Sequence, residues 1–270
     1  MSKVAESDPV VLLVVQGWKR RQYYIKPRKG GVYATFAGVL RWDEIVGKPW
    51  GYTGKLGKAT YYILPPTRHQ LLEEFGRRRS QVIYLKDSAI IALRAGIGPG
   101  SKVFEAGVGS GFLTVVLATI VCPEGRVYGI EERYDMLEAA RHNIELAGVS
   151  QCVSLRLGDV KQGVGVSGLD AGFLDLPDPW DALPAAYEAL KPGAPLVVFI
   201  PTMNQLDKLV TRVEEGGLFV IEEAFEILKR EIEMVPGAVR PSPRMIGHTG
   251  YIVVLRRLAR EETPDTGESS

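Results

Sequence analysis

The sequence predicts an α/β protein that combines a small N-terminal β-domain with a larger domain built on a parallel sheet. Three observations carry this prediction. Short strand-like runs occupy the first 64 residues, strands alternate with helices from Lys102 onward, and a glycine-rich turn joins the first of those strands to its helix. The chain has 270 residues and is 46% hydrophobic and 24% charged, which suffices for one large domain and a small second one.

The N-terminal β-domain is predicted over residues 1–67. Its strand-like segments are VVLLVV, QYYIK, VYATF and ATYYIL, and glycine-containing turns separate them. Several short strands at this spacing indicate a small barrel or a compact sheet. Pro65-Pro66-Thr67 ends the pattern. Residues 68–101 are predicted to be a connecting segment that begins with a polar helix at 68–79.

The larger domain is predicted over residues 102–258, because strands and helices alternate there in the pattern of a parallel sheet covered on both faces. Strands are expected at 102–105, 126–130, 153–157, 169–174 and 196–200, and helices at 112–121, 133–147, 182–190 and 205–215. Two more strands, near 219–227 and 249–256, are expected to close the sheet as an antiparallel pair. The polar, acidic segment 259–270 is predicted to be a disordered tail.

Charge is divided unequally along the chain, although the net charge is only +1. Residues 1–70 hold 12 Lys and Arg against 4 Asp and Glu, so the remainder holds 21 against 28. A basic module beside an acidic one suggests a polyanionic partner, and the alternative is a solvated basic surface. The aromatic residues Trp18, Tyr23 and Tyr24 are interleaved with this charge, which favours RNA. The cations concerned are Lys19, Arg20, Arg21, Lys26, Arg28 and Lys29.

Cysteine usage and hydropathy exclude several classes of protein. Cys122 and Cys152 have neither a CxxC nor a His-paired spacing, so we expect two reduced thiols and neither a disulfide nor a zinc site. The longest apolar run, at residues 10–15, is too short to span a bilayer and lacks a secretory cleavage pattern. We therefore expect a cytoplasmic protein with no membrane contact.

The segment 105–111, EAGVGSG, carries the pattern of a ligand-binding turn. Gly107, Gly109 and Gly111 follow a predicted strand and precede a helix, where the chain turns tightly and a ligand lies against bare backbone. Glu131 ends the next strand, where an acid can accept hydrogen bonds from ribose hydroxyls. Asp159 ends the third strand, where a carboxylate can bind an adenine amino group. A nicotinamide-binding site would use similar parts.

The spacing and order of these residues argue against a nicotinamide cofactor. Glu105 stands two positions before the first glycine, a Gly-Asp pair (Gly158-Asp159) ends the third strand, and the Gly-x-x-Gly spacing that cradles a diphosphate is missing. The arrangement resembles Rossmann-like class I S-adenosylmethionine-dependent methyltransferases, whose sheet has seven strands. That resemblance implies S-adenosylmethionine as the methyl donor and S-adenosylhomocysteine as its product.

The fourth predicted strand ends in Asp175-Leu176-Pro177-Asp178-Pro179-Trp180. The carboxyl ends of strands in an open α/β sheet border the ligand crevice, so Asp175 is expected beside the reacting methyl group. The prolines restrict the backbone of this turn. An alternative is a capping turn in which Asp178 or Asp181 begins the helix at 182–190. Both descriptions can hold for one turn.

Four segments together resemble the tRNA adenine-N1 methyltransferases, over about residues 10–257. They are QVIYLKD at 81–87, EAGVGSGFLT at 105–114, DLPDPW at 175–180, and RP with MIGHTGY at 240–251. The resemblance implies methylation of adenosine 58 in the tRNA T-loop, with position 57 as a second target in archaeal members. It also implies a tRNA partner, a homotetramer and no metal. Leu85 and Ile232 depart from the family pattern, which usually has proline and tryptophan there.

The resemblance also assigns roles to individual residues. Asp175 is the implied catalytic residue, because it can accept from the adenine amino group and offset the positive charge of 1-methyladenine. Tyr84, Arg240 and His248 are the implied substrate-binding residues: a stacking face, a phosphate ligand, and a contact to base or ribose. Each also has a structural alternative, as a core tyrosine or an ordinary surface or structural side chain. Besides the residues above and Asp175, the implied donor-binding set includes Gln81, Ser110, Phe112, Leu113, Met136 and Val160.

Two other functions remain compatible with the residues. One is a methyltransferase with the same donor site and a protein or small-molecule acceptor. The other is a catalytically silent RNA-binding subunit, as occurs in two-subunit relatives. The basic N-terminal module and DLPDPW argue against the first, and the complete set of strand-end carboxylates argues against the second.

Overall fold

The computed structural model describes residues 2–79 and 81–259. The chain forms two compact units: residues 1–77 with 230–245, and residues 78–229 with 246–270. The first unit therefore includes a short segment that the sequence analysis assigned to the larger domain. The predicted tail from residue 260 onward lies outside the described residues. Charge follows this division, with 16 Lys and Arg against 8 Asp and Glu in the first unit and 17 against 24 in the second.

The first unit is built from antiparallel strands. The strands are β1 (Val10–Gln16), β2 (Lys19–Ile25), β3 (Val32–Thr35), β4 (Gly38–Arg41), β5 (Thr53–Leu56) and β6 (Ala59–Leu64). Four of them form a sheet in the order β2-β1-β6-β5, while β3 and β4 form a separate hairpin. Alternate residues of β6 are buried, as expected for a strand with one face on a core. That core contains Val10, Leu12, Val14, Leu40 and Ile63.

Helix α1 (Arg68–Phe75) follows the small sheet and is shorter than the predicted helix. Its N-terminus has a capping box in which Thr67 and Gln70 satisfy each other's backbone N–H groups. Gly76 ends it.

The helices and strands that follow α1 belong to the second unit, apart from two short strands. In chain order the elements are α2 (Leu85–Arg94), β7 (Lys102–Ala106), α3 (Phe112–Val121), β8 (Arg126–Glu131), α4 (Tyr134–Leu146), β9 (Val153–Leu157), β10 (Ala171–Leu174), α5 (Leu183–Ala189), β11 (Pro195–Ile200), α6 (Met203–Gly216), β12 (Phe219–Phe225), β13 (Ile232–Glu233), β14 (Arg240–Pro241) and β15 (Tyr251–Arg257). The two-residue strands β13 and β14 pair with each other and belong to the first unit.

Seven strands form one sheet in the order β12-β15-β11-β10-β7-β8-β9. Strands β7 to β11 are parallel, and β15 is antiparallel to both β11 and β12. All residues of β10 and β11 are buried, because central parallel strands are covered on both faces. The sequence prediction of a parallel sheet closed by an antiparallel pair is confirmed. Helix α2 was not predicted, since Tyr84 at its N-cap makes no side-chain cap bond and gives no start signal.

The prediction for the cysteines was wrong. Cys122 and Cys152 form a disulfide with Cα atoms 5.7 Å apart. Cys122 follows α3 and Cys152 precedes β9, so both lie near the amino ends of the parallel strands. The spacing rules used on the sequence detect only local cysteine pairs, and this pair is 30 residues apart. Across the described ranges, no helix has both the length and the apolarity needed to cross a bilayer.

Candidate active site

A cavity of about 650 Å³ lies in the second unit at the carboxyl ends of the parallel strands. Residues that follow β7, β8, β9, β10 and β11 all contribute to its walls, and the segment before α2 adds Gln81, Val82 and Ile83. This is the position at which open α/β sheets bind ligands. Its volume is in the range of pockets that enclose small organic molecules.

The turn after β7 packs against the end of the neighbouring strand β10. Gly107 has φ +83°, and a Cβ atom there would lie 2.0 Å from the backbone oxygen of Asp175. Glycine is therefore required for two reasons, the backbone conformation and the close approach. Gly111, at the N-cap of α3, does not line the cavity; a Cβ there would lie 3.0 Å from Ala140, so its role is helix packing.

Glu131, at the end of β8, holds the glycine turn in place. Its Oε2 accepts from the Gly109 N–H at 2.8 Å, and its Oε1 accepts from the Arg133 N–H at 3.0 Å. A carboxylate offers about four acceptor positions, so two remain for ligand hydroxyl groups. Asp159 is similarly fixed, since its Oδ1 accepts from the Lys161 N–H at 2.8 Å. Both carboxylates line the cavity.

Glu105 is buried at the floor of the cavity with 1% of its surface exposed. Among the described residues, neither its Oε2 nor the neighbouring Thr114 Oγ1 has a hydrogen-bond partner. Burial raises the pKa of Glu105 to about 8, and the negative charges of Asp175 and Glu131 add to the rise. An acceptor held this way favours a cationic or hydrogen-bond-donating ligand group.

Asp175 lies directly after β10 on the cavity wall. Part of its surface opens into the cavity, yet it is surrounded by enough protein to be strongly desolvated. Desolvation, followed by repulsion from Glu131, raises the pKa of Asp175 to about 7. The capping alternative for this turn holds only in part. Asp178 is the N-cap of the 3-10 helix Pro179–Ala182 that leads into α5, but its side chain makes no cap bond, and the N-cap of α5 itself is Ala182.

Most of the sequence-predicted donor residues meet at this cavity. Those that line it are Gln81, Glu105, Gly107, Gly109, Ser110, Phe112, Leu113, Glu131, Met136, Asp159, Val160 and Asp175. Gly111, Tyr84, Arg240 and His248 do not. Tyr84 is the half-buried N-cap of α2, one residue after the lining residue Ile83.

His248 is held by two acceptors of its own unit. Its Nδ1 lies 3.0 Å from Glu226 Oε2, and its Nε2 lies 2.8 Å from the carbonyl oxygen of Pro201, a lining residue. Two acceptors require both ring nitrogens to donate, so these contacts favour the imidazolium, and they raise the pKa of His248. The residue therefore presents a positive charge but no free ring nitrogen.

Arg240 belongs to the first unit, on the short hairpin of β13 and β14. Its Nε lies 2.7 Å from Glu233 Oε2, its cross-strand partner. The guanidinium is largely exposed. A single contact through Nε leaves its remaining N–H groups available to a phosphate.

One network near the cavity was not foreseen from the sequence. The Lys86 Nζ contacts the Asp87 carboxylate at 2.7 Å, the Thr249 hydroxyl at 2.6 Å and the Ile227 carbonyl at 2.7 Å. Thr249 also donates to Asp87 at 2.9 Å. Asp87 is fully buried. The network joins Lys86 and Asp87, which follow the lining residues 81–83 along the chain, to Thr249 and Ile227.

The wall contributed by β11 and α6 was also missed. Pro201 and Gln205 line the cavity. Gln205 Nε2 donates to the Pro177 carbonyl at 2.9 Å, which connects α6 to the turn that carries Asp175. The signal was present in the sequence, because Thr202 and Gln205 have the Thr-x-x-Gln spacing of a helix start immediately after a strand.

The sheet order, the glycine turn and the strand-end carboxylates together define a class I, Rossmann-like methyltransferase domain. Comparisons with known proteins agree. The profile of the family described as tRNA methyltransferase complex GCD14 subunit matches residues 60–235. The tRNA (adenine(57)-N(1)/adenine(58)-N(1))-methyltransferase TrmI of Methanocaldococcus jannaschii is 34% identical over 73% of this chain and 78% of its own.

Two crystal structures are similar over nearly the whole chain. A SAM-dependent O-methyltransferase from Thermotoga maritima has a TM-score of 0.86 at 30% identity and covers 96% of each chain. The tRNA (m1A58) methyltransferase TrmI from Aquifex aeolicus has a TM-score of 0.85 at 29% identity, over 96% of this chain and 100% of its own. The chain belongs to the GCD14 family of tRNA methyltransferases.

Proposed function

We propose that this protein transfers a methyl group from S-adenosylmethionine to N1 of adenosine in the T-loop of tRNA. Position 58 is the target, with position 57 as a second candidate because the Methanocaldococcus relative is named for both. One observation carries the proposal: Asp175 lines the same cavity as the glycine turn and its backbone packs directly against Gly107. The acceptor carboxylate and the donor turn therefore face one reaction space.

The cavity fits the donor on the chemistry of its walls. Bare backbone at Gly107 and Gly109 allows close approach of a ligand, and Glu131 and Asp159 present acceptors for ribose hydroxyls and an adenine amino group. The buried, unpartnered Oε2 of Glu105 suits the ammonium of the methionine moiety. When bound, S-adenosylmethionine supplies an electrophilic methyl group on a sulfonium.

The protein needs to position the base and stabilise the charge that forms on it. Adenine N1 carries an in-plane lone pair at neutral pH, so attack requires no general base. Asp175 accepts from the exocyclic amino group in its ionised form and stabilises the cationic 1-methyladenine. The target adenosine lies within the folded T-loop, so it must be turned out of its stack to reach Asp175.

Methylation of an unmodified tRNA transcript with labelled donor, followed by mapping of 1-methyladenosine, tests the proposal. Asp175→Asn keeps the shape of the side chain and removes its charge. We expect kcat to fall at least 100-fold, in the range of a lost transition-state interaction, while donor affinity stays within a few-fold. Asp207→Asn, on the exposed face of α6, is the matched control. Near-normal methylation by Asp175→Asn would refute the assigned role.

The pH profile provides an independent test. Because the pKa of Asp175 is raised to about 7, the carboxylate is mostly protonated at pH 6 and mostly ionised at pH 8. With donor saturating, so that titration of Glu105 does not change donor occupancy, we expect kcat/KM for tRNA to rise about tenfold across this interval. Asp175→Asn should be flat over the same range. A wild-type profile that is also flat would show that the ionisation of Asp175 does not control the reaction.

The similarity to a structure named as an O-methyltransferase favours one alternative, a hydroxyl acceptor. Mapping distinguishes the two, since a ribose or small-molecule methyl ether would appear in place of 1-methyladenosine. A catalytically silent subunit is the remaining alternative, and failure to bind donor by calorimetry would support it.

The assembly and the location of the protein are further parts of the proposal. The hairpin segment of the first unit exposes Ile232, Met234, Val235 and Val239, an apolar surface that fits contact with another copy. A homotetramer is the assembly that the family resemblance implies, and light scattering would measure it. A tRNA substrate fits a cytoplasmic location. Over the part of the chain that the structure describes, no group of three His, Cys, Asp or Glu is arranged to hold a metal.

A further inference from the structure

The turn between β1 and β2 exposes a tryptophan in the first unit. Gln16 pairs with Lys19, so Gly17 and Trp18 form a two-residue turn, and Gly17 takes φ +56° at its first position. Trp18 is 65% exposed. Within the described chain, no ring contact, hydrogen bond or cation engages its indole. A tryptophan this exposed at a hairpin tip contributes little to the stability of the fold, because its side chain buries little apolar area.

The other aromatic residues of the same segment are already engaged. The Tyr23 hydroxyl accepts from the Phe36 N–H at 2.8 Å, and its ring packs edge-on against Tyr33 at 5.6 Å. Tyr24 donates to Gln22 and packs edge-on against Phe75. Of the three aromatic residues that the sequence interleaves with basic charge, Trp18 alone makes no ring contact or side-chain hydrogen bond within the described residues.

Of the cations beside Trp18, two lie over aromatic rings and one does not. Lys19 lies over the Phe36 ring at 4.5 Å, and Arg21 lies over the Tyr23 ring at 5.3 Å. Arg20 is exposed, and no ion pair or ring contact holds its guanidinium within the described residues. Arg20 and Trp18 are thus a free cation and a free π-face, two residues apart, in a unit of net charge +8.

We propose that this hairpin tip is a contact site for the tRNA substrate, where Trp18 stacks on an unpaired nucleobase and Arg20 binds an adjacent phosphate. The inference rests on the proposed function. Unpaired bases stacked on aromatic side chains, with cations along the backbone, are the usual mode of loop and single-strand recognition. The opposite charge of the unit and the RNA selects this occupant over an acidic or neutral one.

Binding of an unmodified tRNA transcript, measured against salt concentration, separates the two contacts. Trp18→Leu removes the π-face, and we expect affinity to fall roughly 5- to 150-fold, the worth of one stacked base. The salt slope should not change. Trp18→Phe is the matched control and should stay within a few-fold of wild type. Arg20→Gln should lower the slope of log K against log salt by about 1.

Fluorescence provides a second readout. The chain has four tryptophans; Trp180 is buried, and Trp42 and Trp50 are half-buried. Added tRNA should quench the exposed component and protect it from iodide, and this signal should vanish in Trp18→Phe although RNA still binds. Wild-type affinity and slope in Trp18→Leu would overturn the inference and leave the proposed function intact. Failure of the wild-type protein to bind tRNA would overturn both.

Discussion

Replacement of Glu105 by glutamine should stabilise the protein in the absence of donor, although Glu105 lies in the proposed donor site. The carboxyl is buried, and its Oε2 has no hydrogen-bond partner among the described residues. Burial raises its pKa from 4.5 to about 8. At neutral pH the folded protein therefore keeps a proton on a group that would be ionised in the unfolded chain. Glutamine is neutral in both states and avoids this penalty.

The magnitude follows from the two pKa values. For an acid whose pKa is raised by folding, stability is complete below the unfolded pKa of 4.5 and is lost as pH rises to the folded pKa of about 8. Within this window the loss is about 1.4 kcal/mol per pH unit. Between pH 5 and pH 7, the difference in free energy of unfolding between Glu105→Gln and wild type should grow by about 3 kcal/mol. Asp175 titrates in both proteins, so its contribution largely cancels.

Urea unfolding at several pH values, without donor, measures this difference. The slope is the informative quantity, because any constant effect of the amide group shifts the whole curve and leaves its slope unchanged. Glu214→Gln, exposed on α6, should give a flat difference. A flat difference for Glu105→Gln as well would show that the buried carboxyl has an ordinary pKa, and the reasoning would be refuted.

Two further perturbations, a glycine substitution and the reduction of the disulfide, test the geometry. Gly107→Ala should weaken donor binding at least tenfold, since its Cβ would lie 2.0 Å from the Asp175 oxygen, whereas Gly165→Ala has the same φ of +83° with nothing within 4 Å and should keep normal affinity. Equal behaviour of the two variants would contradict the close approach. Reduction of the Cys122–Cys152 disulfide, which closes a 30-residue separation, should lower the free energy of unfolding by roughly 3–4 kcal/mol. A double serine variant should then be insensitive to reductant, and unchanged wild-type stability in reductant would contradict the bond.

The donor turn and the strand-end carboxylates could be predicted from sequence because each depends on local order. A strand, a glycine turn and a helix fix Gly107 and Gly109, and the strand-end rule places Glu131, Asp159 and Asp175 at one edge. The rule does not predict which hydrogen-bond partners each of these side chains has. Gly111 shows the limit, since the same glycine pattern gives helix packing at that position and a place on the cavity wall at Gly107 and Gly109.

Contacts between distant segments could not be predicted. His248 was assigned a role toward RNA, but Glu226 and Pro201 occupy both of its ring nitrogens. Thr249 and Lys86 are 163 residues apart in sequence and meet only because β15 inserts between β11 and β12. The cysteine pair failed for the same reason. Pairing across a parallel sheet depends on strand order, and one sequence does not specify that order.

Strand β15 comes last in the chain but lies between β11 and β12 in the sheet. This order has a consequence for the chain during its synthesis. The segment that forms a cavity wall, residues 81–83, is fastened through Lys86 and Asp87 to Thr249. A chain still attached to the ribosome, with residues beyond 240 inside the exit tunnel, holds the glycine turn and every strand-end carboxylate but lacks that fastening. All of the lining residues are already present in such a chain, but the wall at residues 81–83 is fastened only after β15 has emerged and joined the sheet.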